Sequence, residues 1–317
     1  MNKLNIGIAG LGNVGSALVE TIEENKNYFF DKTDIELNIV GISARTKNKK
    51  RNFNISNYTW YDDPREMSKD DNCNVIVELI GEEKGISYEI IETALKNKKH
   101  VVTGNKALIA NHGKELFKLA NTHSLALSYE AAVAGGIPVI KTIKNSINLD
   151  RINKISGILN GTCNYILTEM REKGVSFNEV LKDAQAKGNA EADPSFDVDG
   201  INAAQKLTIL SAIAFGIAPD LNNLSVSGIR DVDVTDILFA EELGYRIKLL
   251  AFSKFDNGLV QEVSPCMISL DRQISNVEGV LNAVELDTEL AGSVMLTGYG
   301  AGAEPTATAV LSDIISI

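Results

Sequence analysis

The sequence predicts an α/β protein: a Rossmann-type doubly wound parallel sheet, followed by a second α+β domain. Three observations carry this expectation. A strand-like run, Leu4 to Ala9, leads into Gly10-Leu11-Gly12-Asn13-Val14-Gly15 and then into a helical pattern with Ala17, Leu18 and Ile22. Strand and helix patterns then alternate as far as Pro138, the order that builds a parallel sheet. Beyond about Asp150 the character changes, and two strand patterns joined by Asp256-Asn257-Gly258 read as an antiparallel hairpin.

The glycines of the first turn each have a reason. Gly10 permits the tight turn, Gly12 lets a pyrophosphate approach the backbone, and Gly15 lets the helix pack close to the strand. The helix N-terminus then faces the phosphates. Gly10, Leu11, Gly12, Asn13, Val14 and Gly15 are therefore the expected dinucleotide-binding turn. The second strand, Leu37 to Ser43, lacks the acidic residue that usually holds a ribose 2′-hydroxyl. It runs instead into Ser43-Ala44-Arg45-Thr46-Lys47, with Lys49, Lys50 and Arg51 beyond. Arg45 is placed to hold a 2′-phosphate, with Lys47 or Lys49 assisting, which favours NADP and leaves NAD possible. The alternative is a solvated basic loop.

Asn52 to Asn72 is polar and irregular, with a turn and a short exposed helix near Pro64. Asn74 to Ile80 is a buried strand that ends at Gly81, and its carboxyl end borders the cofactor crevice. A helix over Ser87 to Asn97 and a strand over His100 to Thr103 follow. That strand puts Lys106 at its carboxyl end, where the crevice of an open α/β sheet belongs. A helix over Gly113 to Asn121 and a strand over Ser124 to Tyr129 come next. A small-residue loop from Glu130 leads to Pro138, which starts another helix.

In the second half, Ile152 to Leu159 reads as a strand, Asn160-Gly161-Thr162 as a turn, and Asn164 to Met170 as a helix. Ser176 with Glu179 forms a capping-box pattern that opens a helix reaching Lys187. Glu191, Asp193, Asp197 and Asp199 then fall within nine residues. Pro194 and Gly200 break any helix there, so these carboxylates are expected on a loop. Ile201 to Phe215 is an apolar helix that puts Asn202, Lys206, Ile209 and Ile213 on one face. A lysine between isoleucines needs partners or a task. Asp193 and Asp199 read only as groups that cap or solvate the loop. Ile229 to Leu250 alternates turn and helix signals. Strands are expected over Leu249 to Phe255, Gln261 to Met267, Val277 to Leu286 and Leu290 to Leu296. A glycine-rich stretch from Gly298 then leads into a last helix, Thr306 to Ile315.

Composition narrows the function. The chain has 317 residues, 44% of them hydrophobic, and a net charge of −11. That balance argues against a general nucleic-acid or anionic-membrane surface and leaves room for a local basic pocket. Cys73, Cys163 and Cys266 are scattered without a CxxC pair, as in a reduced cytoplasmic protein. His100, His112 and His123 lack zinc-ligand spacing. No apolar run is long enough for a membrane span, and the expected first strand starts too early for a signal peptide.

Together the motifs resemble the homoserine dehydrogenase family over nearly the whole chain. They are the first glycine turn, Thr103-Gly-Asn-Lys106-Ala, Tyr129-Glu-Ala-Ala-Val-Ala-Gly-Gly-Ile-Pro138, Gly157-Ile-Leu-Asn-Gly-Thr-Cys-Asn-Tyr-Ile-Leu167, the stretch Gly188 to Lys206, and the terminal Gly-x-Gly-Ala-Gly. The resemblance implies NAD(P)-dependent interconversion of L-aspartate 4-semialdehyde and L-homoserine, toward threonine and methionine. It implies residues 1–132 as the nucleotide-binding domain, completed by 297–317, and 133–296 as the catalytic and dimerisation domain of a homodimer. It also implies a dehydrogenase unit without an aspartate kinase or a regulatory ACT domain.

By position, Lys206 and Lys106 match the family's active-site lysines, with Lys206 supplying the proton. Glu191 matches the group that binds the substrate amino group, and Gly161, Thr162 and Asp197 line the same pocket. Ile80, Gly81 and Gly302 fall in the cofactor loops. Glu130, with the backbone carbonyls of Val133, Gly135 and Ile137, matches a sodium-type structural cation loop. Two substrate positions depart from the pattern: Asn189 replaces a usual Tyr, and Asn202 a usual Asp. The Asn202 change removes an opposite charge that would favour a protonated Lys206. Two other readings stand beside this one. One is an aspartate-semialdehyde dehydrogenase with Cys163 as nucleophile. The other is a catalytically weak cofactor-binding homologue.

Overall fold

The computed structural model describes residues 2–317; Met1, the first residue of the expected first domain, lies outside the described residues. The chain divides into two compact units. One runs to Gly136 and takes in Gly302–Ile317; the other is Ile137–Ala301.

The first unit contains β1 (Asn2–Ala9), α1 (Asn13–Thr33), β2 (Ile35–Ser43), β3 (Thr59–Trp60), α2 (Pro64–Met67) and β4 (Val75–Glu78). It continues through α3 (Ile86–Lys96), β5 (His100–Thr103), α4 (Lys106–Thr122) and β6 (Leu127–Ser128). Its strands form one sheet in the order β3-β2-β1-β4-β5-β6. Every pairing in it is parallel. Strand order reverses between β1 and β4, so the carboxyl ends of these strands flank a crevice. The parallel strands are apolar on both faces because helices cover both. Ile6, Ile8, Val75, Val77 and Val102 are fully buried and pack with Leu18 and Ile22 of α1. Each such side chain contributes roughly 1.5–3 kcal/mol on burial.

One expectation needs correction here. The helix expected from Gly113 begins at Lys106. The side chain of Asn105 accepts a hydrogen bond from the Leu108 N–H at 3.1 Å, a cap that starts the helix well before its apolar periodicity is legible. Lys106 is thus the first residue of a helix as well as the neighbour of a strand end.

The second unit begins with the short α5 (Val139–Lys141), then β7 (Ile152–Ile158), α6 (Gly161–Lys173), α7 (Phe177–Ala186), α8 (Ser195–Val198) and α9 (Ile201–Phe215). It goes on through β8 (Ser225–Val226), α10 (Val234–Glu242), β9 (Tyr245–Phe255), β10 (Leu259–Ser269), β11 (Leu281–Thr288) and β12 (Ser293–Tyr299). The sheet order is β12-β11-β7-β9-β10-β8. All its pairings are antiparallel except that of β8 with β10. The β9–β10 hairpin turns at Asn257 and Gly258, which have positive φ as the Asp-Asn-Gly signal requires. The capping box at Ser176 and Glu179 is formed.

The acidic stretch is not loop throughout. Ser195–Val198 makes one helical turn, opened by Pro194 and stopped by Gly200 in the left-handed region. Proline is tolerated at a helix start, so it set a boundary here and did not forbid the turn. Finally α11 (Ala303–Ile315) rejoins the first unit, where it packs with α1.

Candidate active site

In the first unit, β1 delivers Gly10 into the left-handed region (φ +104°), and its N–H donates to the Ser43 carbonyl at 2.9 Å. A Cβ on Gly10 would lie 2.6 Å from the Leu79 carbonyl, and one on Gly15 only 1.9 Å from the Gly10 oxygen. A Cβ on Gly12 would meet nothing within 4 Å. The turn is therefore closed toward the protein and open over Gly12, in front of the first turn of α1. Asn13 is exposed at that turn, and Val14 packs back on the core.

Gly10, Leu11, Gly12, Arg45, Lys47 and Ile80 line one cleft of about 520 Å³. An open glycine turn at a helix N-terminus with basic side chains across the cleft fits an anionic dinucleotide. Arg45 is largely exposed, 3.5 Å from Glu82.

Glu78 went unnoticed in the sequence because it sits inside a hydrophobic strand. It is fully buried at the carboxyl end of β4. Its Oε1 accepts from the N–H groups of Ile80 and Gly81 at 2.9 and 3.0 Å and from Ser87 Oγ at 2.8 Å. Its Oε2 accepts from Thr103 Oγ1 at 2.7 Å. One carboxylate thus fixes the Ile80–Gly81 turn and the end of β5, just before Asn105 and Lys106.

In the second unit, the N-terminus of α6 is the focus. Asn160 caps it by accepting from the Cys163 N–H at 2.8 Å, and donates through Nδ2 to Asp197 Oδ1 at 2.8 Å. Thr162 Oγ1 lies 3.3 Å from Asp197 Oδ2 and donates to the Asn189 carbonyl at 3.0 Å. Gly161 has no room for a side chain, since a Cβ would lie 2.6 Å from the Val280 carbonyl. On α9, Lys206 is 9% exposed and donates through Nζ to the Leu159 carbonyl at 2.7 Å. The structure thus gathers Lys206, Gly161, Thr162, Asp197 and the Asn189 backbone around Leu159–Thr162. Asn202 is half-buried on α9, and its Oδ1 has no hydrogen-bond partner among the described residues. Glu191 is exposed, tied through its backbone carbonyl to Gln185 Nε2 at 3.0 Å, and is not hydrogen-bonded to Asp197 or Thr162.

The two remaining acids have structural tasks. Asp193 accepts from the Ser195 N–H at 3.1 Å, and the bonds from Ser195 hold its carboxyl below the usual range. Asp199 pairs with Arg230, which also donates to Ser195 Oγ at 2.9 Å. Arg230 was missed because nothing near it in sequence shows the contact. Cys163 is fully buried, and burial followed by the Asp197 charge pushes its thiol up. It offers no accessible thiolate, and no histidine occurs after His123. A cysteine–histidine mechanism therefore has no support in this unit.

Glu130 is buried, and its N–H donates to the buried Asp313 carboxylate at 2.8 Å. Ala134 and Gly135 both take positive φ in a buried turn that begins with Val133. Ile137 opens the second unit, and its carbonyl accepts from Val139 at 2.8 Å. Among the described residues no cluster of histidine, cysteine and acidic side chains could hold a metal. Gly302 (φ +120°) precedes α11.

Comparison with known proteins gives a consistent picture. Residues 138–315 match the family model described as homoserine dehydrogenase, and residues 10–130 match that of the homoserine dehydrogenase NAD binding domain. A curated homoserine dehydrogenase from Neisseria gonorrhoeae is 43% identical over 318 residues, spanning 100% of this chain and 73% of the relative. A solved homoserine dehydrogenase from Thiobacillus denitrificans superposes with a TM-score of 0.94 at 41% identity, over 99% of this chain and 73% of that one. A hyperthermophilic archaeal homoserine dehydrogenase mutant, solved in complex with NADPH, gives 0.85 at 30% identity, over 99% and 97%.

Proposed function

This chain belongs to the homoserine dehydrogenase family of NAD(P)-dependent oxidoreductases, and from that premise we propose that it interconverts L-aspartate 4-semialdehyde and L-homoserine, with Lys206 as the acid-base group. The observation that supports the lysine assignment is its setting. A nearly buried ammonium is delivered by α9 to the Leu159 carbonyl, beside Thr162 and Asp197. NADP is the proposed cofactor; Arg45 and Lys47 in the cleft and the NADPH complex of the archaeal relative support it.

When bound, the nicotinamide supplies or accepts the hydride. The chain's own residues manage everything else. Gly10, Gly12 and the first turn of α1 receive the pyrophosphate. Lys206 gives a proton to the substrate oxygen in reduction and takes it back in oxidation, with Lys106 polarising the carbonyl. Glu191 binds the substrate ammonium, and Gly161, Thr162 and Asp197 line the same pocket. Asn202, with an unfilled acceptor where the family usually has an acid, offers that ammonium a dipole in place of a charge. A monovalent cation of the sodium type would be held by Glu130 and the carbonyls of Val133, Gly135 and Ile137. A homodimer through the second unit's sheet is supported by exposed Tyr245, Phe255, Val260 and Met267 on β9 and β10. Three free cysteines accord with a cytoplasmic setting.

The test is Lys206→Ala beside Lys206→Met, assayed with homoserine and each nicotinamide cofactor. Turnover should fall by about 10²–10⁴, while cofactor affinity by titration stays near that of the unmodified chain. Near-normal turnover in both variants would remove Lys206 from the mechanism.

A further inference from the structure

The loop after β2 has an organiser that the reading above does not use. Arg51 lies at the far end of the basic stretch, yet its guanidinium turns back into the loop. Nη1 donates to the carbonyls of Lys47 and Lys49, both at 3.0 Å, and Nη2 to that of Thr46 at 2.9 Å. Nε is buried, with no acceptor among the described residues. Three of the guanidinium N–H groups are therefore bonded within the loop. The guanidinium thus ties the carbonyls of Thr46, Lys47 and Lys49 to one point and fixes the course of the loop that carries Arg45 and Lys47.

The same guanidinium stands 6.0 Å from the Trp60 ring, and Lys47 Nζ stands 5.4 Å from it. Trp60 is half-buried, and its indole N–H is fixed on Asp62 Oδ1 at 2.8 Å. Arg51, Trp60, Arg45 and Lys47 line the cleft that also holds Gly10 and Gly12. A flat aromatic wall and the Arg45 and Lys47 cations lining one cleft make a site for a phosphorylated ribose carrying a planar base.

We propose that Arg51 is a positioning residue that templates this loop to receive the 2′-phosphate of the adenosine half of NADP, with Trp60 as the wall of the adenosine pocket. The proposal rests on the NADP reading above, and the experiment separates the two. Trp60 is the only tryptophan in the chain, so its fluorescence reports this pocket without any turnover.

The full chain is titrated with adenosine 2′,5′-bisphosphate and with adenosine 5′-monophosphate. Both should change the Trp60 emission, and the bisphosphate should bind at least about tenfold more tightly, the effect of one charge-assisted hydrogen bond. Arg51→Met should lose about tenfold toward the bisphosphate and less than about twofold toward the monophosphate. Lys50→Met, which removes a loop charge and leaves the fork intact, should keep the preference. Should Arg51→Met fail to fold by circular dichroism, Arg51→Gln takes its place. Equal weakening of both ligands in the Arg51 variant, or an equal loss in Lys50→Met, would overturn the template role. Absence of any bisphosphate preference in the unmodified chain would overturn the NADP reading and the proposal with it.

Discussion

Glu78 is a carboxylate without access to water, and four donors converge on it. Replacing it with glutamine keeps the shape but turns an NH₂ group toward groups that also donate. Leaving buried donors unsatisfied costs roughly 1–3 kcal/mol, and the Ile80–Gly81 turn borders the cofactor cleft. Glu78→Gln should therefore lower the unfolding free energy by roughly that amount and weaken cofactor binding. Denaturant unfolding and cofactor titration are the two measurements. Unchanged values in both would mean the turn holds itself. Glu78 was illegible in sequence because a glutamate in Val-Ile-Val-Glu-Leu-Ile looks like an interruption of a strand. Its donors come from residues Ile80 to Thr103, and only the fold aims them at one point. Lys206 was legible because a lysine among isoleucines on one helix face is an anomaly at short range.

Helices and turns set where these groups stand. The α6 N-terminus is fixed from two sides. Asn160 caps it, while Asn164 on the same helix donates to the Val277 and Leu281 carbonyls at 3.0 and 3.1 Å. Buried Lys248 reinforces that side through Val277, Asn164 and Glu278, although burial itself pushes its ammonium down. The α8 turn, which carries Asp197, is held by Arg230 through Asp199 and Ser195. Gly228 comes so near that a Cβ there would lie 2.2 Å from the Val198 carbonyl, and the Ile229 N–H donates to that carbonyl at 2.8 Å. The Arg230–Asp199 pair is partly exposed, so its worth is small, about 0–1 kcal/mol. Arg230→Ala should accordingly raise the KM for homoserine by no more than about fivefold and leave cofactor affinity unchanged. A larger rise in cofactor KM than in homoserine KM would contradict this. Pro194 breaks a helix interior and so predicts loop here, whereas at the start of a helix it is permissive and opens α8.

For the whole molecule, acid should be the vulnerable direction. Several carboxylates are held below their usual range by partners in the folded chain: Asp63 by Arg65, Asp70 by Tyr61 and the Asn72 amide, and Asp150 by the amides of Ala291 and Leu290. A depressed folded pKa means that the unfolded chain binds more protons. The stabilisation is present above the unfolded carboxylate range, near pH 4, and is lost as pH falls through the lower folded values. A melting series should show a plateau from about pH 8 to pH 5 and a steep fall below about pH 4. A melting temperature that rose on acidification below pH 4 would contradict this assignment. At this scale the sequence by itself determined the parallel first sheet, the glycine turn, the hairpin at Asn257–Gly258 and the capping box, because each is written in neighbouring residues and a short period. Lys206 stands out at short range as well, while Asp197 and Thr162 enter through the family resemblance. Only the tertiary structure decided that Asp197 meets Asn160 and Thr162, that Glu191 stays exposed, that Asp199 belongs to Arg230, and that Arg51 bonds the carbonyls of its own loop. Those pairings join residues distant in the chain or depend on the direction of a carbonyl, and local propensity carries no information about either.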